Sequence, residues 1–380
     1  MPLNEYVRFT ELNVMFYFSL ALISPVLSPM LKGMGFSDIQ LGLLFSVTPL
    51  VLIFSSAVLG RMADDLGKNT IIFSGIICEI FALLLYISGL GWGSVVAARV
   101  LDAVAAVTVG IALLAKIEDG LEDGLRGKYA GISLSVEYLG TIIAPVIGGV
   151  LADCFFIRAP FVTAIFLLAA LLFFMPGKKL ERRRPKREVF DWPGEMRRFL
   201  SNRKLRGMAI LGVVMHATNP ALTLFLPLLI IGEFDMGYTY VGYAFFALGA
   251  AHLLQFVFGK WADIKAYPVV LTGTLISGLF MAIVWKADTY LLILAILFLK
   301  GIGNAMWNIS AWTLMSEVGV REKRSGEVIG TYISIAKIGA FLSFVASGFV
   351  VAAFGIPALF LLNGILILIG SAVAYPFLKD

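Results

Sequence analysis

Charge is scarce in this chain. Of its 380 residues only 14% are Asp, Glu, Lys or Arg, and 59% are hydrophobic. Soluble domains carry about a quarter charged residues, so with a mean hydropathy of +0.92 an ordinary soluble domain is excluded. Cysteine is scarcer still. Cys78 lies inside an apolar run and Cys154 at the end of one, which makes neither a disulfide framework nor a metal pattern. There is no nucleotide-binding glycine-lysine loop, no zinc-binding histidine pair and no nucleophile elbow. An enzyme, a cofactor and a bound metal are therefore not expected. The net charge of +5 comes without a nucleic-acid motif, so no nucleic-acid partner is expected either. The first residues, "MPLNEYVRFTELNVMFYFSL", put two Glu beside one Arg and offer no small-residue cleavage site; they read as a retained first helix.

What the chain does have is long apolar runs. They fall at about 12–31, 39–60, 69–89, 93–116, 128–153, 159–176, 207–231, 239–259, 268–286, 289–314, 326–353 and 357–377. A bilayer core of ~30 Å takes about 20 apolar residues per helix. Backbone groups find no partners in lipid, so the expectation is an all-α membrane protein with twelve transmembrane helices. The division expected is 1–176 as one six-helix bundle, 177–206 as a basic cytoplasmic linker, and 207–380 as a second six-helix bundle. With both termini in the cytoplasm, 24 of the 30 Lys and Arg fall on the inner side, which sets the orientation in a multi-pass cell-membrane protein. Within the linker, residues from Phe190 to Leu200 have the pattern of a short amphipathic helix with Phe190, Trp192, Met196, Phe199 and Leu200 toward lipid. A solvated basic loop is the other reading.

The two halves are copies. "GRMADDLGKN" at 60–69 and "GKWADIKAYP" at 259–268 stand 199 positions apart, and the same offset joins Glu118 to Glu317, Ser135 to Ser334, Gly140 to Gly339 and Gly149 to Gly348. Six spans separate equivalents, so both copies have the same topology, a parallel repeat about an axis along the membrane normal.

In its twelve runs, its basic central segment and its turn motif, the chain resembles the major facilitator superfamily. Gly60, Asp64, Gly67 and Lys68 match that family's signature between its second and third helices, with Asp65 and Asn69 departing from it; Gly259, Lys260 and Asp263 form a weaker second copy. The resemblance implies a cytoplasmic gate at these turns. The fifth segment carries "GTIIAPVIGG", in which Gly140, Pro145, Gly148 and Gly149 resemble the helix-five motif of the family's exporting antiporters, Ala144 replacing one glycine. This implies a hinge there; ordinary small-residue packing is the alternative.

Six ionisable residues lie well inside the apolar segments: Glu79, Arg99, Asp102, Glu137, Lys300 and Lys337. Charge in a bilayer costs from ~2.5 kcal/mol per residue upward, so each needs a partner or a purpose. Arg99 matches a family position tied to proton movement, and Asp102, three residues on, shares its helix face as a counter-ion. Glu137 near mid-depth is a candidate proton carrier, a structural ion-pair partner or a substrate contact, with Lys337 as the cation it could meet. Lys300, Asn304, Trp307 and Asn308 recur at helical spacing as a candidate substrate wall, and His216 and Asn219 are further candidates. Glu79, on a helix peripheral in the family, reads as structural. The resemblance implies a secondary active transporter working by alternating access, proton-coupled and exporting small organic molecules. Its partners would be the substrate, protons and the bilayer, with no obligate protein partner. An importer of a sugar or organic anion, or a non-transporting enzyme or receptor, remain as alternatives.

Overall fold

The computed structural model describes residues 3–119, 126–175, 192–321 and 325–379. The fold is all-α. Its helices are α1 (Leu3–Leu22), α2 (Leu27–Gly33), α3 (Asp38–Leu66), α4 (Lys68–Ser88), α5 (Trp92–Asp119), α6 (Arg126–Cys154), α7 (Ala159–Phe174) and α8 (Trp192–Ser201). Beyond these come α9 (Arg203–His216), α10 (Leu226–Gly232), α11 (Tyr238–Ala250), α12 (Gln255–Ile283), α13 (Tyr290–Arg321), α14 (Ser325–Phe354) and α15 (Ile356–Leu378). Among the described residues nine stretches are long and apolar enough to cross a membrane. One of them, Tyr238–Lys286, runs 49 residues and bends at Lys265 (φ −148°, ψ 83°), long enough for two crossings. The shorter apolar helices 38–53 and 159–173 bring the crossings to twelve. Phe166, Phe173, Leu291 and Phe354 stand out from the helices with 71–85% of their surface exposed. That apolar exterior suits lipid rather than water.

Two crossings are broken, each near a proline. The first stops at Leu22, turns through Pro25 and resumes as α2. The seventh stops at His216, passes through a π-turn over Pro220–Phe225 and resumes as α10. Proline has no N–H to donate, so the helix leaves carbonyls unused. At the second break the Ala217 carbonyl accepts from Ser343 Oγ at 2.6 Å, the kind of side-chain partner with which a membrane interior tolerates a broken helix.

By their contacts the described residues gather into two compact units. One comprises Met1–Met34, Leu50–Val189 and Gly237–Gly242; the other comprises Gly35–Pro49, Phe190–Met236 and Tyr243–Asp380. Each unit repeats the other's packing at the 199-residue offset. In the first, a Cβ on Gly140 of α6 would lie 3.2 Å from Val14 Cγ1, a tight contact. In the second, Gly339 of α14 is pressed onto the Val213 backbone, and Val213 is the equivalent of Val14.

The helix over 192–201 forms, but its apolar side does not turn to lipid as expected. Phe199 is buried with Leu205, Met208 and Leu378 in the core of the second unit, and Met196 and Leu200 pack against the same cluster. The neighbouring α9 and α14 present apolar surface, and burial against protein satisfies the amphipathic pattern as well as a bilayer would. Phe190 lies outside the described residues, as does the side chain of Trp192.

A close seam in the second unit joins α12 and α13. A Cβ on Gly273 would sit 2.7 Å from the Trp307 backbone nitrogen and 2.8 Å from the Gly303 oxygen. One on Gly303 would sit 2.5 Å from the Ser277 nitrogen. Because the obstacles are backbone atoms, a side chain here must push the helices apart. Gly303→Val is expected to destabilise the protein by about 1–3 kcal/mol or more, read as a lower thermal midpoint in detergent. An unchanged midpoint would contradict this packing.

Candidate functional site

The turn signature resolves differently in its two copies. Gly60 and Asp64 lie in the last turns of α3, where side chains are outside the described set. Gly67 then takes φ +85° as the N-cap of α4, just before Lys68, a backbone state that glycine adopts without strain. In the second copy Gly259 and Asp263 lie in α12, and the chain turns at Lys265 with an extended φ instead of at a glycine.

The first unit holds two polar clusters. In one, Asn13 of α1 donates from Nδ2 to Glu137 Oε2 of α6 at 2.5 Å. Asn13 is buried and Glu137 half-buried, and Tyr17, one turn on from Asn13, lies within electrostatic range of the carboxylate. No basic side chain pairs with Glu137 among the described residues. In the other, Arg99 Nη1 donates to Asp102 Oδ2 at 2.9 Å along α5, and Tyr86 Oη of α4 donates to the same oxygen at 3.5 Å. Glu79 is fully buried beside them.

The α6 glycines sit where backbones meet. Gly148 presses on the Leu22 carbonyl, where α1 breaks, and Gly149 on the Tyr238 carbonyl at the start of α11. Reciprocally, a Cβ on Gly242 would fall 2.5 Å from the oxygen of Pro145. Inside the second unit the arrangement recurs: Gly348 presses on the Asp38 carbonyl, and a Cβ on Gly42 would fall 2.7 Å from the oxygen of Phe344. Phe344 is the equivalent of Pro145, so the crossing does not depend on the proline.

The four α13 candidates divide between two places. Lys300 is fully buried, and its Nζ donates to Asn304 Oδ1 at 3.1 Å and Ser277 Oγ at 3.4 Å in the α12–α13 seam. Ser277 Oγ donates to the same Asn304 oxygen at 2.8 Å. Trp307 instead stands edge-on to His216, ring centroids 5.6 Å apart, and the His216 Nδ1 lies 3.0 Å from the Gly212 carbonyl oxygen. Lys337 of α14 is within electrostatic range of His216. Asn219 lies at the break of the seventh crossing, its carbonyl accepting from Thr223 Oγ1 at 2.8 Å; Asn308 is half-buried.

Two residues have no counterpart among the candidates read from the sequence. Asn13 is a single amide in an apolar run and has no pattern to betray it. Asp153, at the end of α6, accepts from the backbone N–H groups of Tyr238 (2.9 Å) and Thr239 (2.8 Å), capping α11 from another helix. A signal for it does exist. The equivalent helix α3 is capped locally, Ser37 and Gln40 exchanging side-chain hydrogen bonds with each other's N–H. The residue just before α11, as Ser37 is just before α3, is Gly237, which has no capping side chain and whose Cβ would meet Asp153 Oδ2 at 2.8 Å.

Known proteins share this architecture. The family profile described as Major Facilitator Superfamily matches residues 12–319 and 250–380. The chain is 25% identical over 367 residues to the uncharacterized MFS-type transporter MJ1560 of Methanocaldococcus jannaschii, covering 93% of this chain and 92% of that one. It is 27% identical over 183 residues to the quinolone resistance protein NorA of Staphylococcus aureus, spanning 46% of this chain and 47% of that one. In fold it is similar to the crystal structure of nucleoside transporter NupG (TM-score 0.77, 13% identity, 100% of both chains). It is also similar to a bacterial homologue of the human lysosomal transporter Spinster (TM-score 0.80, 13% identity, 98% and 96% covered).

Replacing the cap tests its share of the stability. Asp153→Ala is expected to cost about 1 kcal/mol, read as a lower thermal midpoint. Adding Gly237→Ser, which gives α11 a cap of its own once the carboxylate is gone, is expected to recover part of the loss. No loss in the single variant would mean that water caps α11 equally well.

Proposed function

The chain belongs to the major facilitator superfamily, and on that footing we propose that it is a secondary active transporter that works by alternating access and exports small organic molecules in exchange for protons. The observation that carries this is Glu137, a half-buried carboxylate held by a neutral amide, with no basic side chain paired to it among the described residues. A carboxylate locked to an arginine stays ionised. One held by Asn13 alone is free to take a proton while open to one side and to release it while open to the other. The proton travels on the Glu137 oxygen, so each return of the empty carrier moves one proton inward against one substrate molecule outward. The antiporter-like glycines of α6 and the quinolone-resistance name of a relative similar over half its length support export.

On this reading the turns at Gly60, Asp64, Gly67 and Lys68, and at Gly259 and Asp263, guard the cytoplasmic side. The close crossings at Gly140, Gly148 and Gly149, with Pro145 between them, guard the opposite one. Arg99 and Asp102 support the proton path. His216, Trp307, Asn219, Asn308 and Lys337 form the substrate-facing group in the second unit. Lys300 and Asn304 contribute from the seam behind it, setting its polarity and packing. The cell membrane is the location this reading takes, and the distribution of Lys and Arg supports both termini facing the cytoplasm.

A second reading, import of an organic anion, is favoured by one observation. Lys337 has no carboxylate paired with it among the described residues, and a buried ammonium of that kind attracts an anionic ligand.

The test is a pH-gradient assay in everted membrane vesicles. Lipophilic cations, neutral drugs, sugars and organic acids are added in turn, comparing wild type with Glu137→Gln. Collapse of the gradient by one class in wild type only is the expected result, with the variant's rate lower by at least about 100-fold. If both collapse it alike, Glu137 is not the carrier. If no class collapses it while labelled solute still equilibrates, the exporter reading falls to the importer.

A further inference from the structure

Glu79 sits in α4 with none of its surface exposed, and neither carboxyl oxygen has a hydrogen-bond partner. Its titratable neighbours are few. On its own helix they are Cys78 and Tyr86. Among the described residues, the helices packed most closely against α4 are α5 and α7. From α5 come Arg99 and Asp102, both within electrostatic range. α7, "APFVTAIFLLAALLFF", has no titratable side chain at all, and its Phe161 closes the site against the Tyr86 ring, centroids 6.1 Å apart. Two carboxyl groups thus lie within electrostatic range of one guanidinium, Glu79 fully buried and Asp102 with 15% of its side chain exposed.

Only one charge state suits that place. Arg99 stays protonated in any protein environment, and its ion pair with Asp102 already neutralises it. A second ionised carboxylate, with no donor on either oxygen, would leave an uncompensated negative charge in a low-dielectric interior. That costs far more than burying a neutral carboxyl without a partner. We propose that Glu79, Asp102 and Arg99 form a proton-binding site inside the first unit, in which the two carboxyl groups share a single proton opposite one guanidinium. The proton resides on Glu79 in the arrangement seen here. If Arg99 swings from Asp102 to Glu79, the O–H bond on Glu79 breaks and one forms on Asp102, with the charge of the cluster unchanged. Arg99 and Asp102 are shared with the proton path of the proposed function, but the proton on Glu79 is distinct from the one carried by Glu137 and does not depend on the direction of transport.

This predicts a pattern that a merely structural ion pair would not give. Either acid alone can neutralise Arg99, so Glu79→Gln and Asp102→Asn should each fold, with thermal midpoints within about 5 °C of wild type. Each should also lose a protonated carboxyl. The double variant strands the guanidinium, and its folded-to-unfolded ratio should fall by about 100-fold or more. The experiment uses the full-length protein in lipid nanodiscs at neutral pH. Infrared difference spectra of wild type minus each single variant are recorded, following the deuterium-sensitive carbonyl stretch of a protonated carboxyl, with thermal melts of all four proteins. One such band in both difference spectra, with a collapse confined to the double variant, is the expected result. The proposal is overturned if either difference spectrum lacks the band: without it in Glu79→Gln, Glu79 carries no proton in wild type, and without it in Asp102→Asn, the two acids do not share one. A double variant as stable as the singles overturns it, because Arg99 would not need either acid. So does a single variant that fails to fold, because the two acids would not be interchangeable.

Discussion

Close approach of helix backbones at glycine is the contact on which the rest of this structure depends. In a bilayer, burying leucine against leucine gains little over leaving it against lipid tails, so association must come from tight packing and from polar contacts. The glycines supply the first. Gly140 on Val14 and Gly339 on Val213 hold the first and fifth crossings of each copy together, and Gly273 with Gly303 closes the seam between α12 and α13. At these points the neighbour is main chain or a branched side chain rooted close to it, which cannot yield as the tip of a flexible side chain can. The positions of the helices are set there, and every polar group farther along is placed as a consequence.

Polar groups supply the second contribution, and they are kept inside the units with few partners each. The Arg99–Asp102 pair is closed by Tyr86, Lys300 is held by an amide and a hydroxyl, and Glu137 by one amide. None of these is a dense network of the sort that stabilises a soluble core. Sparse solvation of a buried charge is poor for stability and good for chemistry, since a group with one neutral partner changes its protonation state at lower cost than one locked in an ion pair. The two copies differ most in such places. Ser37 and Gln40 cap α3 from within, whereas α11 borrows its cap from Asp153, and Phe344 stands in the second copy where Pro145 stands in the first. The repeat sets the frame, and the two copies depart from it at these caps and at residue 145 against 344.

How much of this is legible in residues alone depends on the kind of signal. The twelve crossings are legible because each needs a run of about twenty apolar residues, and such runs cannot hide. The repeat is legible because one offset aligns glycines, acids and a turn signature together. The pairing of Arg99 with Asp102 is legible because three residues on a helix define a shared face. The breaks in the first and seventh crossings are only half visible, as prolines whose effect depends on whether a neighbour such as Ser343 supplies a donor to a carbonyl at the break.

By itself the sequence determined the fold class, the number and order of the crossings, the repeat and the inventory of charges within it, because hydrophobicity and helical period act along the chain. Only the tertiary structure decided which polar groups meet. Helical spacing put Lys300 and Trp307 on one side of α13, yet the neighbours divide them, one facing Ser277 and the other His216. Asn13 found Glu137 across 124 residues, and the apolar side of α8 turned to protein instead of lipid. Glu79, an isolated acid in a peripheral segment, became the second carboxyl at an arginine. Each of these outcomes rests on which helix face lies opposite. The glycine contacts between distant segments choose that face, and no local pattern records it.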